Sequence, residues 1–112
     1  MSNQSNSLAI AKGSDIIVLA TATAKPGKEK DLEKALRDVA NPTREQKGCV
    51  DFRLFRSIEN SAVIVGLERW STEEDHDKHL QGDHVKKLFG AMADVLSGPP
   101  VIAVYNILEE VR

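Results

Sequence analysis

No disulfide can form within this chain, because Cys49 is its only cysteine. The fold must close on packing alone, and a reducing compartment suits it. Long apolar runs are also missing: none approaches the roughly 20 residues that a membrane-crossing helix needs. Residues 1–13 are polar, with Leu8-Ala9-Ile10-Ala11 as their one apolar run. They lack the charged start and long apolar core of a signal peptide. The expectation is a cytoplasmic protein with no membrane partner. Nor is there an excess of charge of one sign. The formal net charge is −2, and Lys and Arg are spread along the chain, which argues against a basic nucleic-acid surface. No phosphate-cradling glycine loop, dinucleotide fingerprint or nucleophile elbow occurs. That argues against a tightly held flavin or nicotinamide. Aromatics are scarce, at 4% of the residues, with a single Trp and a single Tyr.

What is present fits one soluble domain. A chain of 112 residues can bury roughly two-thirds of its surface and needs no staple. Residues 1–14 read as a disordered or loosely ordered tail, and 15–112 as the domain. Residues 16–24 are β-branched or small and end in the turn Lys25-Pro26-Gly27, which predicts a strand. Residues 28–40 carry Leu32, Ala35, Leu36 and Val39 at helical spacing. Asn41-Pro42 interrupts that helix, with Asn41 placed to cap a short second piece. Residues 49–56 predict a second strand with Val50, Phe52 and Leu54 on one face. Residues 62–70 predict a third, paired with the second as an antiparallel hairpin. Ser71-Thr72-Glu73-Glu74 reads as a capping box with Ser71 as the cap. It opens a helix to about Leu80. A second helix follows over 84–96, with Val85, Leu88, Phe89, Met92 and Leu96 as its apolar stripe. Gly98-Pro99-Pro100 stops it, and 101–108 predict a last strand.

The order is that of a ferredoxin-like βαββαβ fold, an α+β architecture with a four-stranded antiparallel sheet and helices on one face. The first and last strands are apolar or small on both sides, whereas a half-exposed strand alternates apolar with polar. Helices can cover only one face. The other is expected to pack on the same face of a second copy, giving a sheet-to-sheet homodimer.

Several features in this order carry a resemblance. They are Pro26-Gly27 after the first strand, Gly48-Cys49 opening the second, Phe52, Glu68-Arg69-Trp70-Ser71, His79-Leu80, His84 and Gly98-Pro99-Pro100. In these the chain resembles the antibiotic biosynthesis monooxygenase domain family of the dimeric α+β barrel superfamily, over about residues 15–108. The resemblance implies a pocket between sheet and helices. It implies, for the quinol-monooxygenase-like members, oxygenation of phenols, quinols or anthrones without metal or flavin, the electron-rich substrate itself reducing oxygen. Other members are isomerases, haem degraders or proteins without a known reaction. The haem degraders are disfavoured, because no His stands near Phe89 and no Asn near Thr21–Thr23, numbered 21–23.

The candidate site follows. Side chains two apart on a strand share a face, so Glu68 and Trp70 point together. Trp70 either walls an aromatic pocket or anchors the core. Glu68, if it faces the helices, is a carboxylate made suitable for proton transfer by burial, or else a member of a structural ion pair. Leu80 is expected to pack inward, with His79 beside it. His79 and His84 are the expected pocket bases, and His76 is left out. Phe52, Phe89 and Tyr105 are the further expected substrate contacts, Tyr105 being equally suited to the dimer seam. Cys49 reads as a small buried residue at a strand start rather than a nucleophile. A metal is not expected, because the step from His79 to His84 crosses a helix break. The functional expectation is a cofactor-free monooxygenase of a small aromatic molecule, with molecular oxygen as co-substrate. The alternatives are an isomerase using the same base and a non-catalytic dimeric ligand-binding protein.

Overall fold

A computed structural model describes residues 15–110; the tail expected over 1–14 lies outside them. Strand β1 (Ile16–Thr23) is followed by helix α1 (Glu29–Arg44), strands β2 (Cys49–Arg56) and β3 (Val63–Trp70), helices α2 (Glu73–Leu80) and α3 (Asp83–Met92), and strand β4 (Val101–Asn106). All pairings are antiparallel, in the order β2-β3-β1-β4. This is the ferredoxin-like α+β fold, with the helices on one face of the sheet. Among the described residues no helix is long and apolar enough to cross a membrane.

Alternation along β1 and β3 sends Ile16, Val18, Ala20 and Ala22, and Ile64, Gly66, Glu68 and Trp70, toward the helices. The core there forms three clusters: Ala22, Leu32, Ile64 and Met92; Ile16, Val18 and Trp70; and Val39, Ala40 and Phe52. Each large apolar side chain so buried contributes roughly 1.5–3 kcal/mol. The opposite face carries Ile17, Leu19, Val65, Leu67, Phe55, Ala103 and Tyr105 in register, with no element over it among the described residues.

Five local expectations need correction. α1 runs through Pro42 to Arg44 as one helix; Pro42 sits in the last turn, where it forgoes a single hydrogen bond. The α2 cap is Thr72, whose Oγ1 accepts from the Asp75 N–H at 3.0 Å. Ser71 instead stays tied to the sheet, its N–H donating to the Gly48 carbonyl at 2.8 Å. The helix α3 ends at Met92, not Leu96, and the last strand at Asn106. Val50 does not share a face with Phe52. Cys49 lies opposite Trp70 and Asp51 opposite Arg69, so Val50 is the extra residue of a bulge, 54% exposed.

Candidate functional site

The three core clusters border a hollow in the middle of the domain. A cavity of about 70 Å³ lies between the sheet and all three helices, walled by members of each cluster. Its floor is made of small residues: Ala20 and Gly66 are register partners on β1 and β3, with Ala22 beside them. Phe52 and Leu54 on β2, Leu36 and Val39 on α1, and Val85, Leu88 and Met92 on α3 complete the apolar wall. Leu80, Phe89 and Ile102 also line it, yet they are 42%, 43% and 46% exposed. They form the lip.

The polar part of the wall is Glu68, His76 and His79. Strand alternation delivers Glu68, and helical spacing delivers the two histidines, three apart on one face of α2. His79 is buried at the cavity as expected, His76, which had been left out, is buried beside it, and Leu80, expected to pack inward, sits half exposed at the lip.

Trp70 stands one layer behind this wall, fully buried. Its indole N–H donates to Glu68 Oε1 at 2.8 Å. Its ring lies 4.8 Å from that of His79 and 6.1 Å from that of His76, centroid to centroid. His79 Nε2 is 3.8 Å from Glu68 Oε1. Its Nδ1 lies 2.6 Å from Gln46 Oε1, and His84 Nε2 lies 3.0 Å from that same oxygen. Gln46 belongs to the turn between α1 and β2.

Burial sets the charge states. It pushes the Glu68 carboxyl above its usual range, against the Trp70 N–H bond that favours the ionised form. Burial, then the neighbouring His84 and His76, push His79 down to about 4. His79 is therefore neutral near pH 7, and its approach to Glu68 is a polar contact rather than an ion pair. His76 is also lowered by burial, against the nearby Asp77 and Glu73 carboxylates. Cys49 is raised, by burial and then by Glu68, the opposite of an activated thiolate.

Of the residues expected from sequence, Glu68, His79, Phe52 and Phe89 meet at the cavity. Trp70 and His84 stand behind it, each in contact with the His79 ring or its partner. Tyr105 does not join them: it pairs with Ile17 on the opposite sheet face. His76 and Gln46 are additions. His76 had a signal, its three-residue offset from His79. Gln46 had none, being 33 residues from His79 and 38 from His84 in sequence. Among the described residues no three His, Cys, Asp or Glu side chains are grouped to hold a metal ion.

Comparison with known proteins places this arrangement. A family model described as antibiotic biosynthesis monooxygenase matches residues 15–91. A Mycobacterium tuberculosis protein named "putative monooxygenase" is 24% identical over 97 residues, covering 87% of this chain and 95% of its own. Its solved structure superposes with a TM-score of 0.83, over 88% of this chain and 100% of that one. A Caulobacter crescentus structure titled as a "putative antibiotic biosynthesis monooxygenase" is 27% identical, with a TM-score of 0.81 over 90% and 96% of the two chains. A conserved protein from Methanosarcina mazei is also 27% identical, with a TM-score of 0.79 over 83% and 92%.

Proposed function

The chain belongs to the antibiotic biosynthesis monooxygenase family, and on that premise we propose that it is a cofactor-independent monooxygenase of a small phenol or quinol. The observation that carries the reading is the composition of one cavity: apolar on nearly every side, with its polar groups gathered as Glu68, His76 and His79. Such a site accepts an aromatic ring and offers proton transfer to its hydroxyl.

The chemistry follows from that wall. Neutral His79 takes the phenolic proton, and the imidazolium so formed lies beside Glu68, so the pair holds the added proton jointly. The aromatic anion is the reductant. For a phenol oxidised at the ring carbon para to its hydroxyl, one atom of O₂ becomes the new carbonyl oxygen. The other leaves as water with the displaced ring hydrogen and the hydroxyl proton, so phenol and O₂ give quinone and water. Four electrons pass from substrate to oxygen, and no external reductant is consumed. Trp70 fixes the Glu68 carboxylate from behind, and the apolar wall keeps bulk water from the reactive intermediate.

Cavity size narrows the substrate. Sites for drug-sized ligands run to roughly 300–1,000 Å³, against about 70 Å³ here. Entry requires the lip of Leu80, Phe89 and Ile102 to move, and a single ring suits the space better than a fused anthrone. The uncovered sheet face supports a homodimer, since contiguous apolar patches of this kind mark interfaces.

Oxygen consumption with a panel of hydroquinones and naphthols tests the reading. The expected result is protein-dependent uptake, one labelled oxygen atom in the product, and loss of rate in His79→Asn. A folded protein that never exceeds the uncatalysed rate rules it out. Turnover of a carbonyl substrate that persists without oxygen would select the isomerase, which uses the same Glu68–His79 pair for proton transfer alone.

A further inference from the structure

Two histidine rings converge on one amide oxygen. Gln46 Oε1 lies 2.6 Å from His79 Nδ1 and 3.0 Å from His84 Nε2. A carbonyl oxygen has two lone pairs and no hydrogen to give. Both ring nitrogens that face it must therefore be N–H donors. A neutral imidazole carries one N–H, and the hydrogen bond at one nitrogen decides the state of the other. We propose that Gln46 is the positioning residue of the site: it holds the proton of neutral His79 on Nδ1 and so leaves the lone pair on Nε2, the nitrogen on the Glu68 side. An unconstrained histidine in water favours the opposite tautomer, with its proton on Nε2 and no free base there.

The rest of the contact network is built to keep that oxygen in place. The Gln46 backbone N–H donates to the Thr43 carbonyl at 3.1 Å, and its carbonyl accepts from the Cys49 N–H at 3.1 Å. The turn is thus pinned to the end of α1 and the start of β2. Gly48 closes it, and its carbonyl accepts the Ser71 N–H at 2.8 Å, just ahead of the α2 cap. His84 occupies the second lone pair of the amide oxygen. That gives it a function although it does not line the cavity: it stops the Gln46 amide from turning over. The 3.8 Å between His79 Nε2 and Glu68 Oε1 agrees with an Nε2 that has no hydrogen to donate, since an N–H···carboxylate bond closes to about 2.7–2.9 Å.

This inference gives the base of the proposed monooxygenase its reactive form, and so rests on that reading for its purpose; its test needs no substrate. Nitrogen-15 spectra of the histidine rings near neutral pH distinguish the two tautomers by which nitrogen bears hydrogen. The expected result in the wild-type protein is His79 protonated on Nδ1 and His84 on Nε2, opposite tautomers one contact apart. In Gln46→Leu the Nδ1–H signature of His79 is lost, and in Gln46→Glu, which keeps an acceptor oxygen, it persists. A wild-type His79 with its proton on Nε2 overturns the proposal, because that is the signature of the amide turned the other way with its NH₂ donating to both rings. So does an unchanged His79 tautomer in folded Gln46→Leu. Should that variant not fold, the wild-type spectrum alone still decides. Absent oxygenase activity with the expected tautomers would remove the functional reading and leave the tautomer lock standing.

Discussion

Glu68 and His79 face each other across 3.8 Å, and burial drives their proton affinities in opposite directions. The consequence for stability has two signs. His79 is held at about 4, below the ordinary 6.5. Between those values the unfolded chain binds a proton that the native state refuses. Stability is therefore full above 6.5 and is lost as pH falls through that window, by up to about 1.4 kcal/mol per pH unit for one group. Glu68 is raised above the ordinary 4.5, so the native state keeps its proton longer. Its contribution is present below 4.5 and is lost as pH rises through the raised value. Urea midpoints measured across pH should show a shallower acid decline in His79→Asn, with a residual slope from His76. Glu68→Gln should remove the loss on the other side. Identical pH profiles in wild type and both variants would mean these groups are not buried as described. Much of this site could be read from sequence. Period two put Glu68 and Trp70 together, and family resemblance pointed to His79 and His84. Gln46 could not be read, because nothing near it in the chain marks a polar residue as the partner of two rings more than thirty positions away.

Elements are delimited here by two glycines that look alike in sequence and differ in structure. Gly27 and Gly48 both adopt positive φ, +83° and +86°. A side chain at Gly27 would meet open space, whereas one at Gly48 would overlap the Asp75 carboxyl group. Gly27→Ala should cost only the backbone strain, about 1–2 kcal/mol. Gly48→Ala should cost more, and Gly48→Ala with Asp75→Ala less than the sum of the two single changes. Thermal or urea unfolding of the four proteins checks this; equal losses at the two glycines would refute the steric account. The elements themselves were legible, since hydrophobic period and turn residues gave their number, type and order. Their details were not. Val50 follows the alternation and still falls out of it, because a bulge is decided by pairing with β3 rather than by β2. The choice between Ser71 and Thr72 as the cap turns on a bond to Gly48, more than twenty residues upstream.

For the whole molecule the decisive feature is a sheet that, among the described residues, is dressed on one face and bare on the other. Leu19 sits between Leu67 and Ala103 at the middle of the bare face. Arg69 lies toward its end, joined to Asp15 at 2.6 Å and to Glu110 at 2.7 Å. An apolar centre with a charge-paired margin is how a specific interface is laid out. Sedimentation should find the wild-type protein as a dimer and Leu67→Lys as a monomer that retains its secondary structure. A wild-type protein that stays monomeric at high concentration contradicts the assembly. Both apolar faces of the first strand were visible in sequence. The hollow inside the other face was implied only by the family resemblance and not by the residue pattern, because a cavity is left by side chains that are small, and Ala and Gly leave no periodic trace.

That hollow gives the fold an adjustable capacity. Its floor is the Ala20–Gly66 pair, and a methyl group added at Gly66 would meet nothing closer than Leu54 Cδ2, at 3.6 Å. The site can accept the extra carbon without disturbing the sheet. A single carbon added at Gly66 would thus shrink the hollow of this chain and leave the wall of Glu68, His76 and His79 as it is. A filled floor would exchange empty volume for packing, so Gly66 marks where capacity and robustness pull apart in this fold.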